Sequence, residues 1–163
     1  MRKVFWVGVV TFLADQASKY LVVHWMNLAQ IGAIDVYPPY LNLRMAWNYG
    51  VNFGLFAENS DLTRWVLVAV ALVISCAVLW WIHHEDTGTA GKISAGLLVG
   101  GALGNVIDRV VYGAVADFLN MSCCGFNNPY AFNIADIAVF AGAIGLVLFT
   151  SGEPDKNKGK NAS

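Results

Sequence analysis

Residues Leu62 to Ile82 read LTRWVLVAVALVISCAVLWWI, and the one charge in the run, Arg64, lies near its start. Its length is close to the roughly 20 residues that cross a hydrocarbon core of about 30 Å as a helix. Three similar blocks surround it: about 4–24, about 93–112 and about 133–150. Helices are expected for all four, because unpaired backbone groups are too costly in lipid for any open structure. Across the 163 residues 57% are hydrophobic and 13% are charged, against about 25% charged in a soluble domain. The composition excludes a disordered chain, a basic nucleic-acid binder and a disulfide-stapled secreted domain. The net charge of −1 gives no field that would recruit nucleic acid. The expected architecture is a multi-pass, all-α membrane protein with a small β element, one domain over residues 1–163.

Lysine and arginine positions set the orientation. Arg2, Lys3, Lys92, Lys156, Lys158 and Lys160 fall on one side of the spans, and only Arg44 and Arg64 on the other. Both termini are therefore expected in the cytoplasm, with segments 25–61 and 113–132 facing outward. The first block keeps Asp15 and Lys19 inside it and lacks a small-residue cleavage site, so it reads as a retained span. The polar tail 152–163 reads as disordered. In the outward segment, Tyr40-Leu41-Asn42-Leu43-Arg44-Met45 alternates with a period near two, which predicts short strands. The dense aromatics of residues 31–56 suit a small sheet or lid at the headgroup level; a plain connector is the alternative. Cys76, mid-span, is expected to be a buried inert thiol. Cys123 and Cys124 are adjacent and cannot form an ordinary bridge to each other. His83-His84 read as a helix cap. No His or Cys spacing resembles a metal site, so none is expected.

Charges inside spans cost roughly 2.5–3.5 kcal/mol each on insertion scales, so each needs a reason. Asp15 and Lys19 are spaced i, i+4 with the acid first, the favourable order for a pair. Asn105, Asp108 and Arg109 share one helix face. From the helical rise, Lys19 lies about 7 Å below the outer end of its span and Asp108 about 5 Å below that of its own. Lys19 is thus placed to meet Asp108, and Arg109 can hold a carboxylate with two prongs. The plain reading of these groups is interhelical glue, which also holds a site rigid.

Asp117 and Asp136 are left without a cation nearby in sequence. Singly, each has a structural explanation. Asn133 can be an N-cap with Asp136 the third helical residue, and Asp117 can cap a short interfacial helix. Together they lie at the two ends of one outward connection and can face each other. Two carboxylates that close share one proton near neutral pH. One then activates water while the other protonates a leaving amine, which suffices to cleave a peptide bond.

Four segments, in order along the chain, resemble the lipoprotein signal peptidases (type II signal peptidases). Asp15-Gln16-Ala17-Ser18-Lys19 resembles the family's D-Q-x-x-K. Asn48-Tyr49-Gly50-Val51-Asn52-Phe53-Gly54 resembles its N-x-G-A-A-F segment. The run from Gly100 to Arg109, with Gly113, Val115, Asp117 and Phe118, resembles G-G-A-x-G-N-x-x-D-R-x-x-x-G-x-V-x-D-F. Phe132-Asn133-Ile134-Ala135-Asp136 matches F-N-x-A-D. The resemblance implies catalytic Asp117 and Asp136, a pocket of Asn48, Gly50, Asn105, Asp108, Arg109 and Asn133, and structural support from Asp15 and Lys19. It implies no cofactor. The implied substrate is a prolipoprotein carrying diacylglyceryl on its lipobox Cys, cut on the amino side of that Cys at the outer face of the bacterial inner membrane. Membrane lipids and cyclic-peptide inhibitors of the globomycin type are the other implied partners. Val51-Asn52 departs from the family's small pair and bears on the wall near Asn48. A small proton-coupled transporter subunit is the alternative, although transporters place carboxylates near the midplane and carry repeats. A lipid-binding scaffold would need no paired carboxylates.

Overall fold

The structure is a computed structural model that describes residues 1–50, 60–85 and 87–150. Helix α1 (Arg2–Lys19) continues into a π-helical turn, Tyr20–Trp25, and a short α2 (Leu28–Ile31) follows. Strands β1 (Ala33–Tyr37) and β2 (Leu41–Asn48) come next, then α3 (Ser60–His84) and α4 (Thr89–Tyr112). Strand β3 (Val115–Asn120) and α5 (Ile134–Thr150) complete the described chain. The three strands form one antiparallel sheet in the order β1-β2-β3.

Among the described residues two helices, α3 and α4, are long and apolar enough to cross a membrane, and α5 is a shorter apolar helix. Helix α1 carries four charges, Arg2, Lys3, Asp15 and Lys19. Large side chains cover the outside of the bundle: Phe5, Trp6, Val73, Trp80, Phe140, Val147 and Phe149 are all exposed. Such an apolar exterior suits lipid contact and would be a liability in water.

Helix α4 is the hub, packing on α1, α3 and α5. Its glycines let the neighbours approach. A Cβ on Gly101 would stand 2.5 Å from the Ala135 carbonyl oxygen of α5, and one on Gly104 would stand 2.5 Å from Asp15 Oδ2 of α1. No side chain fits at either place. One apolar core joins Val4, Ile82, Ala95, Leu98, Val99 and Leu146 across the four helices. A second, of Val22, Val23, Leu28, Leu43, Ala116 and Phe118, packs the sheet onto the π turn and α2.

Several expectations change. The alternating run around Tyr40–Met45 is a strand, as its period suggests, but Asp117 lies within β3 and caps no helix. The end of the first block is a π turn where a plain α-helix was expected. Cys76 is exposed, because α3 is apolar on every side and turns this position outward. His84 does hold its own helix end, through a 2.8 Å hydrogen bond between Nδ1 and the Trp80 carbonyl. Val51, Asn52, Phe53, Gly54 and the tail 152–163 lie outside the described residues.

Candidate active site

Asn133 starts the site. It is the residue before α5, and it exchanges two hydrogen bonds with Asp136: the Asp136 N–H donates to Asn133 Oδ1 (2.9 Å), and the Asn133 N–H donates to Asp136 Oδ2 (3.1 Å). This reciprocal pair is a capping box with Asp136 at its third position. The structural explanation of Asp136 therefore holds, and it does not compete with a second use. Asn133 is fully buried, and its Nδ2 donates to Asp117 Oδ1 at 2.7 Å. One asparagine thus touches both aspartates.

Strand β3 supplies Asp117. Its register sets Asp117 beside Ala46 and Val115 beside Asn48. Asn48 and Asp117 share a face of the sheet, and Asn48 Nδ2 donates to Asp117 Oδ2 at 3.1 Å. Asn48 Oδ1 accepts from the Gly50 N–H at 3.0 Å, which turns the chain tightly after β2. Gly50 adopts φ 113°, and a Cβ there would strike Leu67 of α3. Asparagine followed two residues later by glycine is therefore a local requirement of the bend.

Helix α4 contributes Asn105, whose Nδ2 donates to Asp136 Oδ1 at 2.9 Å. Its Oδ1 accepts from Asn133 Nδ2 at 3.2 Å and from Lys19 Nζ at 3.3 Å. Asp117 is almost wholly buried. Burial first, and then the charge of Asp136, pushes its carboxyl up to about 6 from 3.8, against hydrogen bonds from Asn48 and Asn133 and the more distant Lys19 charge. A carboxyl in that range exchanges its proton near neutral pH, which suits acid–base work.

Behind the two aspartates lies an ion triad. Lys19 Nζ pairs with Asp15 Oδ2 at 2.7 Å and with Asp108 Oδ2 at 2.8 Å, all three side chains being buried. Arg109 behaves differently from expectation. Its Nη1 donates to the Asn105 carbonyl at 3.3 Å, and among the described residues it forms no ion pair with a carboxylate. Lys19, reaching across from α1, already holds Asp108. Arg109 Nε is buried with no hydrogen-bond partner among the described residues. The structure also brings in Gln16, to which no role was given. A neutral polar side chain next to Asp15 inside an apolar block was the available signal.

The family described as signal peptidase (SPase) II matches residues 7–151 of the chain. A lipoprotein signal peptidase of Alteromonas mediterranea is 36% identical over 159 residues, covering 97% of this chain and 85% of its own. One from Methylobacterium sp. (strain 4-46) is 39% identical over 140 residues, covering 86% and 83%. Two solved structures, both described as bacterial membrane enzymes, superpose with TM-scores of 0.76 and 0.77 at 26% identity. The first covers all of this chain and 96% of its own, the second 94% and 96%. The transporter and scaffold readings gain no support from these proteins. The chain belongs to the signal peptidase II family.

Proposed function

We propose that this protein is an intramembrane aspartic endopeptidase that removes the signal peptide from diacylglyceryl-modified prolipoproteins, with Asp117 and Asp136 as its catalytic pair. One observation carries the assignment: Asn133 donates to both carboxylates at once, so two acids of unlike setting face one reaction space. Asp136 takes a proton from water, whose oxygen attacks the carbonyl carbon preceding the lipid-modified Cys. Asp117 gives its proton to the departing amine nitrogen as the C–N bond breaks. The new acid keeps the second water proton, and the pair again holds one proton.

Asn48, Gly50, Asn105, Asp108, Arg109 and Asn133 form or shape the pocket in this reading. The unpartnered Arg109 Nε supplies a donor for a substrate carbonyl. Four spans, with both termini in the cytoplasm, place the pair at the outer face of the inner membrane, where the acyl-bearing Cys resides. Residues 1–163 act as one domain, and membrane lipid surrounds them. Cyclic peptides of the globomycin type are the expected inhibitors. The test is incubation of purified protein with a diacylglyceryl-modified prolipoprotein. Release of the signal peptide is expected from the wild type and not from Asp117→Asn or Asp136→Asn; near-normal release by either variant overturns the assignment.

A further inference from the structure

The polar side chains of α1 near the site converge on two carboxylates, and each carboxylate holds a backbone amide. Asp15 Oδ1 accepts from the Ala135 N–H at 2.9 Å, and Asp108 Oδ2 accepts from the Ala116 N–H at 3.1 Å. Ala135 immediately precedes Asp136, and Ala116 immediately precedes Asp117. The two aspartates of the proposed pair are thus each anchored one planar peptide away. Lys19 joins the two anchoring carboxylates through Nζ. So does Gln16, whose Nε2 lies 3.1 Å from Asp15 Oδ2 and 3.2 Å from Asp108 Oδ1. The same nitrogen is 3.3 Å from the Gly104 carbonyl oxygen.

An ammonium on a flexible stem is a swivel. Two carboxylates bound to Lys19 alone could still pivot about Nζ, and the strand and helix they hold would move with them. A planar amide at a second point removes that freedom. We propose that Gln16 is a positioning residue: with Lys19 it cross-ties Asp15 to Asp108 and thereby fixes the separation of Asp117 and Asp136. The proposal rests on the catalytic reading above and assigns a purpose to a side chain which that reading leaves idle.

Separation matters because the charged groups around Asp117 come from three helices: Lys19 of α1, Asp108 and Arg109 of α4, and Asp136 of α5. Widening the gap to Asp136 weakens the repulsion that helps Asp117 keep its proton, so that proton leaves at lower pH. The cross-tie also borders a cavity of about 130 Å³ lined by Gln16, Lys19, Trp47, Asp108, Tyr112 and Ala116 among others. A replacement side chain has room there.

Gln16→Met keeps the length of the side chain and removes its donor. Purified Gln16→Met is expected to lower kcat for lipid-modified prolipoprotein about tenfold, since displacements below 1 Å are already costly. KM should stay within about twofold, and the alkaline limb of the kcat profile should move toward acid by roughly half a pH unit. Melting in detergent should change little. Gln16→Ala, which also removes the donor, is read the same way if the methionine variant fails to fold. Wild-type kcat and pH profile in the folded variant overturn the cross-tie. So does a lower kcat with an unmoved pH profile, which is what a merely structural glutamine produces. Asp117→Asn is run alongside. If it is inactive while Gln16→Met behaves as wild type, only the cross-tie fails; if it cleaves, the catalytic reading fails and takes the cross-tie with it.

Discussion

Asp136 opens a helix and Asp117 lies in the middle of a strand, and the two seats treat negative charge differently. The first turn of α5 presents backbone N–H groups and the positive end of the helix dipole, which favour an anion. Asp136 is also only half buried, so water helps to solvate it. Asp117 lies in a strand whose residues Val115, Ala116 and Phe118 are all buried, and receives side-chain amides but no helix end. Burial therefore raises its carboxyl to about 6. In the proposed reading the pair divides its labour through backbone context: Asp136 sits in a capped helix start, whereas burial in the strand raises the Asp117 carboxyl.

The largest expected effect treats the two seats alike. Asp117→Asn and Asp136→Asn should each lose cleavage by about a hundredfold to ten-thousandfold, measured as released signal peptide. A large loss in one and a small loss in the other would break the symmetry of the pair. Next in size, Lys19→Ala leaves both Asp15 and Asp108 buried without their cation, at a cost of about 3–5 kcal/mol. Thermal unfolding in detergent reads this, and a double-mutant cycle with Asp108→Ala should be far from additive. Additivity would mean that the ion pair does not operate.

The contrast itself is sharpened by the stability of the two asparagine variants. Asp117 binds its proton more tightly folded than unfolded, so between about pH 4 and 6 its contribution to stability falls as pH rises. Above that window the ionised carboxylate is a burden of the order of 1–3 kcal/mol, from about 1.4 kcal/mol per pKa unit. Asp117→Asn should therefore melt higher than the wild type at pH 7.5, and the gap should close as pH falls through the window. Asp136→Asn weakens a cap and should melt slightly lower, by up to about 1 kcal/mol. Shifts in the same direction would refute the division of labour. Asn48→Ala removes one donor to Asp117 and should slow turnover by up to roughly tenfold, for a hydrogen bond of about 0.5–1.5 kcal/mol, with melting almost unchanged. The smallest effect is none: a chelator should leave the rate as it is, since the charge balance in both seats comes from protein groups.

Much of this was legible in the residues because lipid makes charge expensive. Asp15, Lys19 and Asp108 had to find one another, and depth along the helices was enough to pair them. Strand β2 showed itself through the alternation of its residue types, although its burial runs from a covered start to an exposed end. Strand β3 did not. Its residues Val115 to Phe118 are buried on both faces, so the run has no period of two to read. Helix α3 is apolar all round, and periodicity could not say which side Cys76 would take. The π turn at Tyr20–Trp25 leaves no pattern at all. Arg109, expected to grip a carboxylate, forms no ion pair among the described residues, because spacing fixes which groups share a face and not which of them reach one another.

The hydrogen bond from Ala135 to Asp15 joins residues 120 positions apart. One end lies in the first helix of the described chain and the other in the last. During synthesis the first helix is made long before the last, so for that time Asp15 has no amide to hold and Asp136 has no seat. The proposed catalytic pair therefore comes into being only when the last helix docks. On the proposed assignment, a chain without its last helix holds no complete pair.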